Sequence, residues 1–298
     1  MFFEDLCLYL DVNSIEYKKE AKIAPYVSIR VGGIASFIAF PDSIEKLCNL
    51  INYVRGKIKY YILGNGTNCY FADYYDGLII ITSKINKINI SKNSITAECG
   101  ASLTRCAVYA YENSLTGIEF LYGIPGSVGG GAYMNASAYG YMTSQFIKEC
   151  LVYDSIKNKI LITSREGLDF GIKHSVFMSK EYFVLSVTFD LTVGNKDKIK
   201  CLMDSYMNKR IVSQPLDVPS AGSAFKRPKN DYASRLIDKA GFKGYRIGDA
   251  EVSTKHAGFI VNRGNATAND KNILLYEIKE TIKEKFDIEL EEEIIFVE

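Results

Sequence analysis

The stretch YGIPGSVGGGAYMNASAYG, residues 122–140, limits what this chain can fold into more than any other segment. Six of its nineteen residues are glycine, three are alanine, and three more are serine or asparagine. Ile124, Val128, Tyr133 and Met134 are spaced through it, so it is not a flexible linker. Side chains are kept away from a backbone where another group must come close. Glycine also lets successive main-chain N–H groups face an anion. A second glycine turn, Gly64-Asn65-Gly66-Thr67-Asn68, follows the apolar run KYYIL directly. Neither stretch carries the dinucleotide GxGxxG spacing or the lysine of a P-loop. Each alone fits a tight turn as well as a phosphate site. Two in one chain, both expected next to strands, raise the prospect of a large phosphate-bearing cofactor.

The totals exclude several classes. The 298 residues allow two or three compact units, and the 47% apolar content supports a full core. Lys plus Arg number 36 against 35 acids, which argues against a protein that coats nucleic acid or an acidic membrane surface. The start, MFFEDLCLYLD, has no basic segment and is cut by Glu4 and Asp5, unlike a signal peptide. No run of about 18 apolar residues occurs, so no membrane insertion is expected. The seven cysteines (7, 48, 69, 99, 106, 150 and 201) form no CxxC pair and read as reduced thiols in a cytoplasm. With only His174 and His256 present, a histidine-rich metal centre is excluded by supply, and no metal site is expected.

Periodicity predicts mixed elements. Residues 41–54 read as a helix with Asp42 as N-cap, Glu45 completing a capping box, and Leu47, Leu50, Ile51 and Val54 on the apolar face. GLIIITS and SITAECG read as strands, ASLTRCAVYAYENSL as a helix, and 183–193 as one long strand. DYASRLIDKAG, closed by Gly241, and DKNILLYEIKETIKEKF read as amphipathic helices. Strands and helices alternate without a strict βαβ rhythm, which predicts an α+β chain of a few lobes.

Four segments, ILGNGTN, GIEFLYGIPGSVGGGAYMNASAYG, SQPLDVPSAGSAFKRP and GYRIGDAEVSTKHAGFIVN, resemble, in order, the motifs of the UDP-N-acetylenolpyruvoylglucosamine reductases. The resemblance runs from about residue 28 to 293, in the short form of the family that lacks an extra tyrosine-bearing loop. It implies an FAD-binding fold of the vanillyl-alcohol-oxidase type, two α+β subdomains holding FAD, plus a C-terminal α+β substrate-binding domain. The expected divisions are 1–83 with the C-terminal strand, 84–209 and 210–298. It further implies noncovalent FAD gripped by Gly64, Asn65, Gly66, Thr67 and Asn68 and by Pro125, Gly126, Ser127, Gly129, Gly130 and Ala132. Arg30, in VSIRVGG, belongs to a matching stretch of the cofactor half.

The implied reaction has two halves. NADPH gives a hydride to FAD, and the reduced flavin gives one to the enolpyruvyl ether of UDP-N-acetylglucosamine, forming UDP-N-acetylmuramate for the peptidoglycan wall. Negative charge builds on the substrate carboxylate and a proton must reach the adjacent carbon. By resemblance Ser223 is the proton donor and Glu293 the catalytic acid. Family members have proline where this chain has Glu292. The cation is altered: where the family has Tyr-Arg, this chain has Ile172-Lys173, and Ile295 replaces an arginine two residues after the glutamate. Lysine keeps the charge and loses the planar fork. Arg210, Lys226 and Lys255 are the expected substrate contacts, with Arg227, Lys243 and Arg246 nearby in sequence. His256 reads equally as a structural histidine or a nucleotide contact. A weakened paralogue that binds FAD or UDP-sugar in a regulatory or interaction role is the alternative, motivated by Lys173 and Ile295. A flavin oxidase acting on another substrate is a third reading. The expected partner is the small-molecule substrate alone, with the protein a monomer or weak oligomer.

Overall fold

Leu47, Leu50, Ile51 and Val54 recur at helical spacing, and all four are buried on one face of the helix Ile44–Val54. Its N-cap is Ser43 rather than the expected Asp42: the Ser43 hydroxyl accepts from Lys46 N–H at 3.2 Å, while Asp42 pairs with the Lys46 ammonium. Pro41, Asp42 and Ser43 leave the start ambiguous by one residue, and the hydroxyl that reaches the third N–H decides it.

The computed structural model describes residues 2–179 and 181–298. They form two compact units. The first comprises the residues through Lys19, Phe37–Asn65 and Gly77–Asn208; the second comprises Glu20–Ser36, Gly66–Asp76 and Lys209–Glu298.

In the first unit five antiparallel strands run in the order Lys159–Ser164, Ile147–Asp154, Tyr182–Asp190, Ser94–Glu98, Ile88–Ser91. Their apolar face packs with the helix Leu103–Glu112 over a core that includes Ile95, Leu103, Cys150, Val187 and Phe189. The strand expected over 183–193 stops at Asp190. Its ladder with Ser94–Glu98 ends at Asp190↔Ser94, Leu191 N–H turns to the Asn93 carbonyl (2.9 Å), and Thr192–Val193 pairs instead with Leu115–Thr116. The strand Tyr60–Leu63 lies parallel to Tyr74–Ile81 in the register Tyr60↔Leu78 and leads straight into Gly64.

In the second unit an antiparallel sheet has the order Ser220–Ser223, Phe259–Asn262, Ala250–Val252, Arg246–Ile247. The helices Ala233–Lys239 and Ala268–Phe286 belong to the same unit. The longer one opens on a capping box in which Thr267 and Asp270 satisfy each other's N–H groups at 3.1 and 2.9 Å. The terminal strand Ile295–Val297 pairs parallel with Cys69–Phe71. Among the described residues no helix is long and apolar enough to cross a membrane.

Candidate active site

In the first unit the two glycine turns meet. The Asn65 side-chain amide donates to the Pro125 carbonyl at 2.8 Å. A Cβ on Gly64 would sit 2.2 Å from Ser127 Oγ, so a side chain here would force the Ser127 hydroxyl to move. The glycine run is not an open turn between strands: it enters from the 3-10 turn Glu119–Leu121 and becomes the short helix Val128–Tyr133. Ser127 caps it, accepting from Gly130 N–H at 3.2 Å. A Cβ on Gly129 would lie 3.0 Å from both the Cβ and the carbonyl oxygen of Cys99. Much of what comes close to this backbone is therefore the protein's own strand end. Burial pushes the Cys99 thiol up to about 12, so it lies there as a neutral, inert wall.

The hydrogen bonds show which N–H groups are available. Those of Val128, Gly129, Gly130 and Gly131 donate to Ala101 O, Cys99 O, Ser127 Oγ and Ser127 O at 2.7, 2.8, 3.2 and 2.7 Å. In the first unit the N–H groups of Asn65, Gly126 and Ser127 donate to no protein group among the described residues, and in the second unit neither do those of Gly66, Thr67 and Asn68. Free N–H groups on a glycine turn suit an anion with several oxygens, such as a pyrophosphate.

Beyond its helix the glycine stretch anchors the turn that carries Lys173. Asn135, left-handed at φ +42° and 1% exposed, donates to the Gly171 carbonyl at 2.8 Å and accepts from Ser144 N–H at 3.0 Å. Ser175 Oγ donates to the Tyr133 carbonyl at 2.7 Å. Gly171 and His174 exchange main-chain bonds of 3.0 and 3.3 Å, leaving Ile172 and Lys173 at the tip. Ile172 is 86% exposed, and Lys173 is left-handed at φ +53°. His174 pairs with Asp169 at the surface. Asn135 and Ser175 escaped the sequence reading, although the Asn at the end of a small-residue helix is a left-handed-turn signal.

In the second unit Ser223 and Glu293, seventy positions apart, come together. Ser223 ends its strand opposite Phe259, after Gly222 at φ +76°. The next residue, Ala224, accepts from Glu293 N–H at 2.9 Å and donates to the Gly258 carbonyl at 2.8 Å. The Glu293 carbonyl accepts from the Asn68 side chain at 3.0 Å, and the Asn68 carbonyl accepts from Ile295 N–H at 2.9 Å. The Glu293 peptide is thus clamped from both sides. No protein group among the described residues bonds to the Ser223 hydroxyl, so it is not tied back into its own turn.

The three consecutive glutamates separate. Glu291 pairs with Lys226, and Glu292 pairs with Lys279 at 3.1 Å. Lys255 Nζ donates to the Ile211 carbonyl at 2.6 Å, near the C-terminal end of the helix Lys196–Ser213, which also carries the half-buried Arg210. All three expected substrate cations therefore already have protein partners. Arg227 lies over the Tyr232 ring at 4.0 Å, while Lys243 and Arg246 pair with Asp238 and Asp249. His256 accepts from Gly258 N–H through Nδ1 at 3.1 Å and packs edge-on against Phe259. Burial lowers its pKa, which favours the neutral structural role. Arg30 is exposed and left-handed at φ +57°. Its guanidinium has no partner among the described residues, and its carbonyl accepts from Asn262 Nδ2 at 3.5 Å. Ile295, in the terminal strand, pairs with Cys69.

This fold, with its glycine turns, defines an FAD-binding flavoprotein of the vanillyl-alcohol-oxidase type. A model of an FAD binding domain matches residues 35–155, and a model described as the C-terminal domain of UDP-N-acetylenolpyruvoylglucosamine reductase matches residues 214–297. The chain belongs to the UDP-N-acetylenolpyruvoylglucosamine reductase family. It is 43% identical to the Clostridium novyi enzyme of that name over 284 residues, 95% of this chain and 92% of the relative. It is 42% identical to the Limosilactobacillus reuteri enzyme, covering 94% of each chain. The crystal structure of the Thermus caldophilus reductase superposes with a TM-score of 0.81 at 28% identity, over 95% of this chain and 99% of that one.

Proposed function

We propose that this protein reduces UDP-N-acetylglucosamine enolpyruvate to UDP-N-acetylmuramate, with NADPH as hydride donor, in the cytoplasm and as a monomer or weak oligomer. Bound FAD would supply the hydride relay between the two substrates. The N–H groups of Asn65, Gly126 and Ser127 would hold its pyrophosphate. Gly129, Gly130 and Ala132 serve by having no bulk rather than as N–H donors, and Arg30 offers a free guanidinium on the cofactor side. We divide the chain functionally into 1–83 with the terminal strand, 84–209 and 210–298.

The observation that supports this reading is the main-chain bond that joins the residue after Ser223 to Glu293. A hydroxyl with no protein partner among the described residues sits one residue from a carbonyl that holds the Glu293 N–H at 2.9 Å. Serine is a weak acid, yet it suffices for a strongly basic carbon, and the Glu293 carboxyl group would assist the transfer. Lys173 takes the position of the cation that faces the substrate carboxylate. It supplies a point charge where charge accumulates. Arg210, Lys226 and Lys255 would take the diphosphate and sugar. Lys226 and Lys255 exchange exposed protein partners to do so, and such contacts are weak.

Stopped-flow absorbance tests this. NADPH should bleach the flavin, and UDP-N-acetylglucosamine enolpyruvate should then restore the colour in the absence of oxygen. Bleaching without restoration would favour a weakened paralogue, the alternative that Lys173 and Ile295 motivate.

A further inference from the structure

Lys271 lies in the first turns of the helix Ala268–Phe286 and is fully buried. Its Nζ has no hydrogen-bond partner among the described residues and sits 3.3 Å from the centroid of the Tyr70 ring. A buried amine without a partner is destabilising, and a hydrocarbon side chain of the same length would pack there without that penalty. The groups around it form a defined set. Cys69 and Tyr70 come from the strand Cys69–Phe71. Glu292 comes from the segment before the terminal strand, and Glu298 follows that strand and acts on Tyr70. On its own helix, Asp270 is committed to the cap and Lys279 to Glu292. The Cys69 thiol is pushed up to about 12 by burial and the Tyr70 phenol is raised too, so both are neutral. Among the described residues Glu292 is then the carboxylate whose charge favours the protonated amine, and Lys279 already shares it at 3.1 Å.

Tyr70 ties this amine to the catalytic glutamate. Its ring stacks on Phe296 at 4.8 Å, its hydroxyl donates to Asn272 Oδ1 at 2.5 Å, and its strand pairs residue for residue with Ile295–Val297. Two residues before Tyr70, Asn68 holds the Glu293 carbonyl. Glu292 and Glu293 share a peptide bond, so a pull on one is felt at the other.

We propose that Lys271 is a proton-linked positioning residue: when its amine takes up a proton it draws Glu292 away from Lys279 and shifts the Glu293 peptide, giving the substrate-reduction half-reaction a pH dependence that belongs to Lys271. Burial holds the amine well below the ordinary lysine range. The inference rests on the assignment of Glu293 to that half-reaction.

The test is the pH profile of flavin reoxidation by UDP-N-acetylglucosamine enolpyruvate in the FAD-loaded parent and in Lys271→Met, from about pH 6 to about pH 10. The parent rate should fall on the acid side with a one-proton limb, about tenfold per pH unit. Lys271→Met should lose that limb and keep the parent's plateau rate within about threefold, with NADPH reduction unchanged in both. Lys271→Leu, also without an amine, should behave like Met and serves if the methionine variant does not accumulate as yellow protein. A variant that keeps the parent's limb, or slows equally at every pH, overturns the proposal. A parent that NADPH reduces but substrate never reoxidises overturns the assigned activity and this inference with it.

Discussion

Replacing Lys271 by methionine should stabilise the protein, and by an amount that depends on pH. Methionine keeps an unbranched side chain one heavy atom shorter and removes a buried amine that has no hydrogen-bond partner among the described residues. Leaving such a group unsatisfied costs about 1–3 kcal/mol. The pH dependence follows from burial, which lowers the folded-state pKa of this lysine well below its ordinary value. Between that lowered value and about pH 10.4, the unfolded chain binds a proton that the folded chain does not. Stability of the parent therefore falls as pH drops through this window, by up to about 1.4 kcal/mol per unit, and is fully recovered above it. Lys271→Met lacks this term. Its advantage over the parent should widen by up to about 1.4 kcal/mol for each unit of pH lost below about 10.4, then level off once the folded amine also protonates. In a chain of this size 1 kcal/mol is worth about 2–4 °C. Denaturant or thermal melts of both proteins across the pH range, at matched FAD, measure the gap. Parallel curves would refute the reasoning, because they require an amine that keeps its proton equally well in both states.

Three further outcomes test other parts of the account. FAD should be noncovalent: acid precipitation should release the yellow colour into the supernatant, and a coloured pellet would contradict this. Gly66→Ala and Gly129→Ala should lose stability first and flavin second, since a Cβ at 66 would lie 2.2 Å from the Tyr26 carbonyl and one at 129 would lie 3.0 Å from Cys99; overpacking of this kind costs about 1–3 kcal/mol, read as a drop in melting temperature. Lys173→Arg, with Ile172→Tyr at the exposed neighbour, should speed substrate-driven reoxidation roughly tenfold to hundredfold, from about 1–3 kcal/mol of recovered charged hydrogen bonding, while Lys173→Ala should nearly abolish it and leave the NADPH step alone; an alanine variant as fast as the parent would remove Lys173 from the site.

What could be read in advance follows the range of the interactions. The helix face of Leu47, Leu50, Ile51 and Val54 is a local pattern with a period of 3.6 residues, and it stands in the structure as expected. Its cap was off by one, because Asp42 and Ser43 are both good caps and only geometry chooses. The glycine stretch announced a close approach without saying to what. Its neighbour Cys99 lies some thirty residues upstream, and such a packing partner leaves no mark in the segment itself. The nearness of Ser223 and Glu293 likewise depends on a bond between distant segments, the Ala224 carbonyl to the Glu293 N–H. Lys271 did leave a signal. It falls in the same helical register as the buried Leu274, Leu275, Ile278 and Ile282, so it occupies an apolar-stripe position although its neighbours Asp270 and Asn272 give it the look of a surface lysine.

The most direct test of the assigned chemistry is Ser223→Ala, followed through each half-reaction separately. The hydroxyl has no protein partner among the described residues, so its removal should leave folding, yellow colour and reduction by NADPH as in the parent. Reoxidation by UDP-N-acetylglucosamine enolpyruvate should slow by about 10²–10⁴-fold, the usual worth of a positioned proton donor. Equal slowing of both half-reactions, or no slowing of either, would contradict the role given to Ser223 and the site built around it.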